Sequence, residues 1–239
     1  MVCHTLGPLL VRIDNGDPPP ELLWRKNIGL LIYLARAPSG GLPRDHLVST
    51  FWSTKPPRNG RQSLREALRV VRRHLGPDRL LTDAKQVVLA DAAMGLDLIP
   101  FDRHVRAERW DQAEQLVRGE FLEGFDIPDA PGFGAWLETE RRRWRVRMLD
   151  ALRSTARPLL DAGRADEAGR VIAKAFLVDP RTEDALGLAA RFFTLLRTCD
   201  GVIRTRRAFN GYLEGIGVDP GRLPADMYDR LRRRAGAAC

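Results

Sequence analysis

Arg61, Gln62, Arg65 and Arg69 recur at i, i+1, i+4 and i+8, a spacing that sets polar side chains on one face of an α-helix. A guanidinium offers donors in a planar fork that fits the O6/N7 edge of guanine or two oxygens of a phosphate, and a carboxamide fits the N6/N7 edge of adenine. The chemistry implied is recognition of an anionic polymer that carries bases, not bond-making. Arg72 and Arg73 continue the same run and suit contact with a backbone more than with bases. Arg61 and Ser63 fall near the start of the helix, where free N–H groups favour a phosphate; Ser63 serves equally well as a plain first-turn residue. Lys55 and Arg58 lie in the preceding loop, "STKPPRNG", and Lys85 lies at the tip of a hairpin further on.

Catalytic chemistry finds no comparable pattern. His4, His46, His74 and His104 are scattered and match no HExxH or His/Cys spacing. There is no Walker loop, no Gly-x-Ser-x-Gly elbow and no paired-carboxylate motif. "GGLPRD" and "NGRQS" lack the spacing of phosphate-cradling loops. Cys3, Cys199 and Cys239 are odd in number and widely spaced, which suits neither a disulfide framework nor a zinc site. No enzymatic activity, metal or cofactor is expected.

The elements that must position the basic face can be read from apolar periodicity. Leu64, Ala67, Leu68, Val71 and Leu75 form the stripe of an amphipathic helix over about residues 61–75, opposite the arginines. Before it, Leu9, Val11 and Ile13 alternate as a short strand, "DNGDPPP" turns, and Glu21–Leu23 reads as a returning strand. "RKNIGLLIYLARA" (25–37) reads as a helix stopped by Pro38, and "PRDHLVSTFW" as a second one with Pro43 in its first turn. After "GPD", the run "RLLTDAKQVVLAD" reads as a hairpin around Asp83, Ala84 and Lys85. Strand, helix, helix, loop, basic helix and hairpin is the order of a winged helix-turn-helix, whose third helix enters the DNA major groove. A merely solvated charged face is the alternative for the helix taken alone; the surrounding order favours the first reading.

From Asp97 the pattern turns helical to the end, with Pro158 expected to kink or stop the long helix after "GFGAWLETERRRWRVRMLDALRSTA". "GRADEAGRVIAKAFLVDP" and "TCDGVIRTRRAFNGYLEGIGVDP" resemble one another, with Asp166 and Asp200 spaced 34 residues apart. That period marks tetratricopeptide-like (TPR-like) helix pairs, although two degenerate copies also arise by coincidence. Trp52, Phe121, Phe125, Phe133, Trp136 and Trp144 are assigned to packing. The run Glu140–Arg147 is read as a salt-bridged, solvated helix face.

Charge placement agrees with this division. Residues 1–91 hold 14 Lys/Arg against 8 Asp/Glu, while residues 92–239 hold 25 against 23. The excess positive charge therefore lies in the first part and should attract polyanions, nucleic acid before anionic membrane. An arginine-rich total also follows from a GC-rich coding sequence, so the placement counts for more than the sum. With 44% apolar and 29% charged residues, the composition is that of a folded protein. No run of 18 apolar residues and no secretory signal pattern are found, so a cytoplasmic protein without membrane partners is expected.

Taken together, these motifs resemble the SARP-type bacterial transcriptional activators, which join an OmpR-like winged helix to a bacterial transcriptional activator domain (BTAD). The resemblance spans nearly the whole chain. It rests on "LGPLLVRIDNGD", "RKNIGLLIYLARAPSGGLPRDHLVSTFW" and "NGRQSLREALRVVRRHLGPDRL" at the front. Behind them come "GEFLEGFDIPDAPGFGAWLETERRRWR", "DAGRADEAGRVIAKAFLVDPRTEDAL" and "GVDPG". It departs at Gln86-Val87, where the family has Gly-Tyr, which puts a minor-groove role for the wing in doubt, and in "TCDGVIRTRRAFNGYLEG". The resemblance implies a winged helix over 1–95, an all-α TPR-like domain over 96–239, and activation of transcription on double-stranded promoter DNA. It also implies RNA polymerase contact, including by the loop holding Lys55 and Arg58, and side-by-side pairing of two copies on direct repeats. The competing expectation is an interaction adaptor whose winged helix does not read DNA sequence.

Overall fold

The computed structural model describes residues 1–13, 16–37, 41–90 and 93–179, with isolated positions beyond. In chain order the elements are β1 (Val2–His4), β2 (Gly7–Pro8), β3 (Leu10–Arg12), α1 (Arg25–Ala35), β4 (Leu42–Pro43), α2 (Arg44–Trp52), α3 (Pro57–Leu75), β5 (Leu80–Thr82), β6 (Gln86–Leu89), β7 (Gly95–Leu96), α4 (Leu98–Arg106), α5 (Trp110–Leu116), β8 (Phe121–Glu123), α6 (Pro131–Asp161) and α7 (Ala165–Val178). The described chain is mainly helical with short strands. It divides into two compact units. Unit 1 gathers Met1–Thr5, Leu9–Asp97 and Gly124–Glu140; unit 2 gathers Leu6–Pro8, Leu98–Glu123 and Arg141–Cys239.

Unit 1 is built around α1. Ile28, Leu30, Leu31, Ile32 and Leu34 are all buried, so this helix is apolar nearly all round and serves as the core of its layer. Asn27, also buried, donates its side-chain N–H to the Glu21 carbonyl at 2.7 Å. β5 and β6 form an antiparallel hairpin in the register Leu80↔Leu89, Leu81↔Val88 and Thr82↔Val87. β4 joins the far edge of β6 through Leu42↔Val87, giving the order β4-β6-β5. A second small sheet has β1 between antiparallel β3 and parallel β7. The buried Asp97 carboxylate accepts the Thr5 N–H at 2.8 Å and the Thr5 hydroxyl at 2.7 Å, which ties the residue after β1 to the residue after β7 within unit 1.

The segment 124–140 packs within unit 1. Phe125, Ile127, Phe133 and Leu137 are buried there. Phe133 lies 5.2 Å from Phe51 by ring centroids, and Trp136 meets Tyr33 edge-on at 4.9 Å. Gly132 lets α6 approach α2 closely, since a Cβ there would stand 2.9 Å from the Thr50 Cα. The Arg36 guanidinium donates to Glu140, and Lys26 to Asp129.

In unit 2, the fully buried Trp144 indole packs with Phe101 and Phe121. Arg145 pairs with Glu120, Arg147 with Asp102 and Lys174 with Glu114. Two arginines of the run on α6 are thus salt-bridged, to partners beside β8 and on α4.

Three expectations are corrected. Glu21–Leu23 is a turn and not a strand: the N–H groups of Leu22 and Leu23 donate to the Pro19 and Pro20 carbonyls, and prolines without N–H groups cannot supply a ladder. Pro43 caps α2 instead of entering its first turn. The later part is not all-α, because β8 pairs in parallel with β2 within unit 2; strands this short, joined only through a long crossover, leave no alternation to read. α6 contains Pro158 and ends soon after it, at Asp161. The second tetratricopeptide-like copy, Cys199, Cys239 and the Pro38 stop lie outside the described residues.

Candidate nucleic-acid interface

α3 begins at Pro57, one turn earlier than its apolar stripe announces, so Arg58 stands on the helix and not in the loop before it. Pro57 suits a first helical turn because its missing N–H would have had no helical partner. Gly60, Leu64, Ala67, Leu68, Val71 and Leu75 are buried on one side. At 3.6 residues per turn, Arg58, Arg61, Gln62, Arg65, Arg69, Arg72 and Arg73 fall within an arc of roughly 120° on the other. All seven are exposed.

The structure sorts the sequence-chosen residues into two flanks of this arc. On one flank, a cleft of about 380 Å³ is lined by Pro43, Arg44, Asp45, Arg61, Leu64, Arg65, Ala84 and Lys85. It brings Arg61, Arg65 and Lys85 together. On the other flank, a wider groove is lined by Lys55, Gln62, Ser63, Arg69 and Arg73, with the exposed Trp24 and the buried Trp52. Arg58 and Arg72 line neither but stand on the same exposed arc.

Several of these cations are engaged. Lys55 Nζ donates to Ser63 Oγ at 3.0 Å. Arg61 meets Asp45 at 3.3 Å, Arg69 meets Glu66 at 2.9 Å, and Arg73 lies 3.7 Å from Glu21. His74 Nε2 also donates to Glu21 at 2.9 Å, and this bond leads the causes that hold the Glu21 carboxyl below its ordinary range. Such exposed pairs are worth little and exchange readily for a stronger anion. Arg58, Arg65, Arg72 and Lys85 make no ion pair with any described residue.

Arg44 is the member that sequence reasoning missed. Its backbone N–H donates to the Lys85 carbonyl at 2.8 Å, and its side chain donates to the Asp83 carbonyl at 3.2 Å. A signal existed: a cation in the first turn of a helix opposes the macrodipole, so its presence there calls for a reason. The hairpin tip is shaped by Asp83, whose carboxylate accepts the N–H groups of Lys85 at 2.6 Å and Gln86 at 2.7 Å. The Gln86 donor first, then Lys85, holds this carboxyl below its ordinary value of 3.8. A depressed carboxylate stabilises the folded turn above that ordinary value and loses the contribution as pH falls through its lower folded value. The amide resonances of Lys85 and Gln86 are therefore expected to titrate together with a midpoint below 3.8, and Asp83→Asn should abolish the step.

The thiol of the buried Cys3 is pushed up to about 12, chiefly by burial and then by the Asp97 carboxylate, so a thiolate nucleophile there is disfavoured. Among the described residues no group of three or more His, Cys, Asp or Glu is placed to hold a metal ion. Among them, too, no helix is long and apolar enough to cross a membrane.

Comparison with known proteins finds a likeness over part of the chain. Residues 82–198 match the family model of the bacterial transcriptional activator domain, BTAD. No curated protein matches. Among solved structures, Mycobacterium tuberculosis EmbR in complex with a low affinity phosphopeptide is similar at 20% identity and a TM-score of 0.49. That likeness covers 98% of this chain and 68% of that one.

Proposed function

We propose that the chain is a sequence-specific DNA-binding transcriptional activator. The observation that carries this reading is the arc of α3, where six arginines and Gln62 are exposed together opposite a fully buried apolar stripe. In this reading α1, α2, α3 and the β5–β6 hairpin act as a winged helix within residues 1–95. α3 lies in the major groove, with Arg61, Gln62, Arg65 and Arg69 toward base edges. Arg58, Arg72, Arg73, Ser63, Lys55 and Lys85 meet the phosphates that set its register. The bacterial transcriptional activator domain matched at 82–198 supports the second half of the reading. Residues 96–239 then carry the contacts that turn occupancy into activation, with RNA polymerase or with a second copy on the same promoter.

Fragmented genomic DNA captured on the full-length chain and sequenced tests this directly. Enrichment of a limited set of upstream regions sharing one sequence element is the expected result. Uniform recovery across the genome would remove sequence-specific binding and leave the adaptor role.

A further inference from the structure

We propose that Arg44, acting with Lys85, grips a backbone phosphate of bound duplex DNA at the wall of the cleft opposite α3. This rests on the DNA-binding reading above and assigns a phosphate contact to a residue outside the basic helix.

The cleft holds four cations, Arg44, Arg61, Arg65 and Lys85, against the single carboxylate of Asp45. Asp45 is already engaged by Arg61 at 3.3 Å and the Asp83 carboxylate is turned to the Lys85 and Gln86 N–H groups, so the cations Arg44, Arg65 and Lys85 still outweigh the one carboxylate beside them at the tip. Arg44 is half-buried and anchored. One of its terminal nitrogens donates to the Asp83 carbonyl, while its other side-chain donors bond to no described residue. Its backbone N–H holds the Lys85 carbonyl, so the start of α2 and the hairpin tip are fixed to one another. The Asp83 carboxylate fixes the tip from the other side through the Lys85 and Gln86 N–H groups.

A guanidinium anchored at one end and free at the other keeps its fork in place with little further loss of freedom. The ligand that fits is a tetrahedral oxyanion with negative charge spread over its oxygens, met by charge-assisted hydrogen bonds from Arg44 and by the Lys85 ammonium. Arg44 starts α2 and its side chain is held by the Asp83 carbonyl, on the side of the cleft away from α3, whose Arg61 and Arg65 are left for bases. Its contact therefore positions the duplex without reading it.

The test uses the full chain, a captured promoter duplex and a scrambled duplex, titrated from 50 to 200 mM salt. Arg44→Ala is expected to weaken both duplexes equally and to flatten the slope of log K against log salt by about one. Its affinity loss across that salt range should be about fourfold smaller than that of the wild type. Arg44→Lys, which keeps the charge and loses the fork, should restore the slope. Thermal melting is followed in parallel, and both variants are expected to melt as the wild type does.

Wild-type affinity and slope in Arg44→Ala would overturn the inference while leaving DNA binding intact. So would a loss confined to the promoter duplex, or an Arg44→Lys that behaves as the alanine does. Absence of duplex binding by the wild type would overturn both readings together. Inorganic phosphate separates the two sources of the anion. Saturable phosphate binding that Arg44→Ala abolishes, with duplex binding unchanged, would assign the cleft to a free anion and overturn the proposal.

Discussion

Arg65→Ala is expected to lose about 1–3 kcal/mol of affinity for the promoter duplex and to relax base preference at one position. Arg65 stands near the middle of the exposed arc and lines the cleft with Arg61. Unlike Arg61, which Asp45 engages, and Arg69, which Glu66 engages, it has no ion pair with a described residue. Its whole fork is therefore available to a guanine edge. Arg65→Lys should keep most of the salt slope and still lose the preference, because an ammonium cannot make the paired contact. Titrations against cognate and single-base-substituted duplexes at several salt concentrations distinguish the two losses. An Arg65→Ala chain that weakens on every sequence alike would place Arg65 among the phosphate contacts instead.

A chain cut after Asp97 should fail to form a stable unit 1, whereas one ending at Glu140 should fold cooperatively. Phe125, Ile127, Phe133 and Leu137 belong to unit 1 and are buried in it. Removing four such side chains forfeits on the order of 6–12 kcal/mol of apolar burial. That is comparable with the whole stability of a small domain, about 5–15 kcal/mol. The shorter fragment also loses the Glu140 partner of Arg36 and the Asp129 partner of Lys26. Denaturant melts followed by circular dichroism should show a sharp transition for residues 1–140 and a broad, early one for 1–97. Equal transitions would mean that the covering segment contributes nothing to the unit.

Local pattern made much of unit 1 legible. The stripe Leu64, Ala67, Leu68, Val71 and Leu75 names the buried side of α3, and the β-prone runs around Asp83 and Lys85 name the hairpin. What periodicity cannot convey is which surface an element meets. The aromatic face of Phe133 and Trp136 announces that the start of α6 is covered, but not that it packs against Phe51 and Tyr33. Likewise, the helical spacing puts Arg61 and Arg65 on one face, while their meeting with Lys85 depends on the Leu42↔Val87 pairing, a contact far apart in sequence. Arg44, a cation in the first turn of α2, called for a reason that the chain itself does not supply. Its neighbours in space are the hairpin carbonyls, and nothing beside it in the chain indicates them.

The detour of the chain through residues 98–123 also sets an order of events during synthesis. A ribosome releases about 5–20 residues per second. Thr5 must therefore wait roughly 5–20 s for Asp97, its partner 92 positions later, and Arg36 waits as long for Glu140. Throughout that interval α1, apolar nearly all round, has emerged without the aromatic segment that covers it. Contacts of such long sequence separation form late and slow the search for the native state. The nascent chain thus carries a bare hydrophobic helix past the point where its arginine-bearing neighbour has already been made, and the vulnerable species for chaperone capture or aggregation is the one that ends between Asp97 and Glu140.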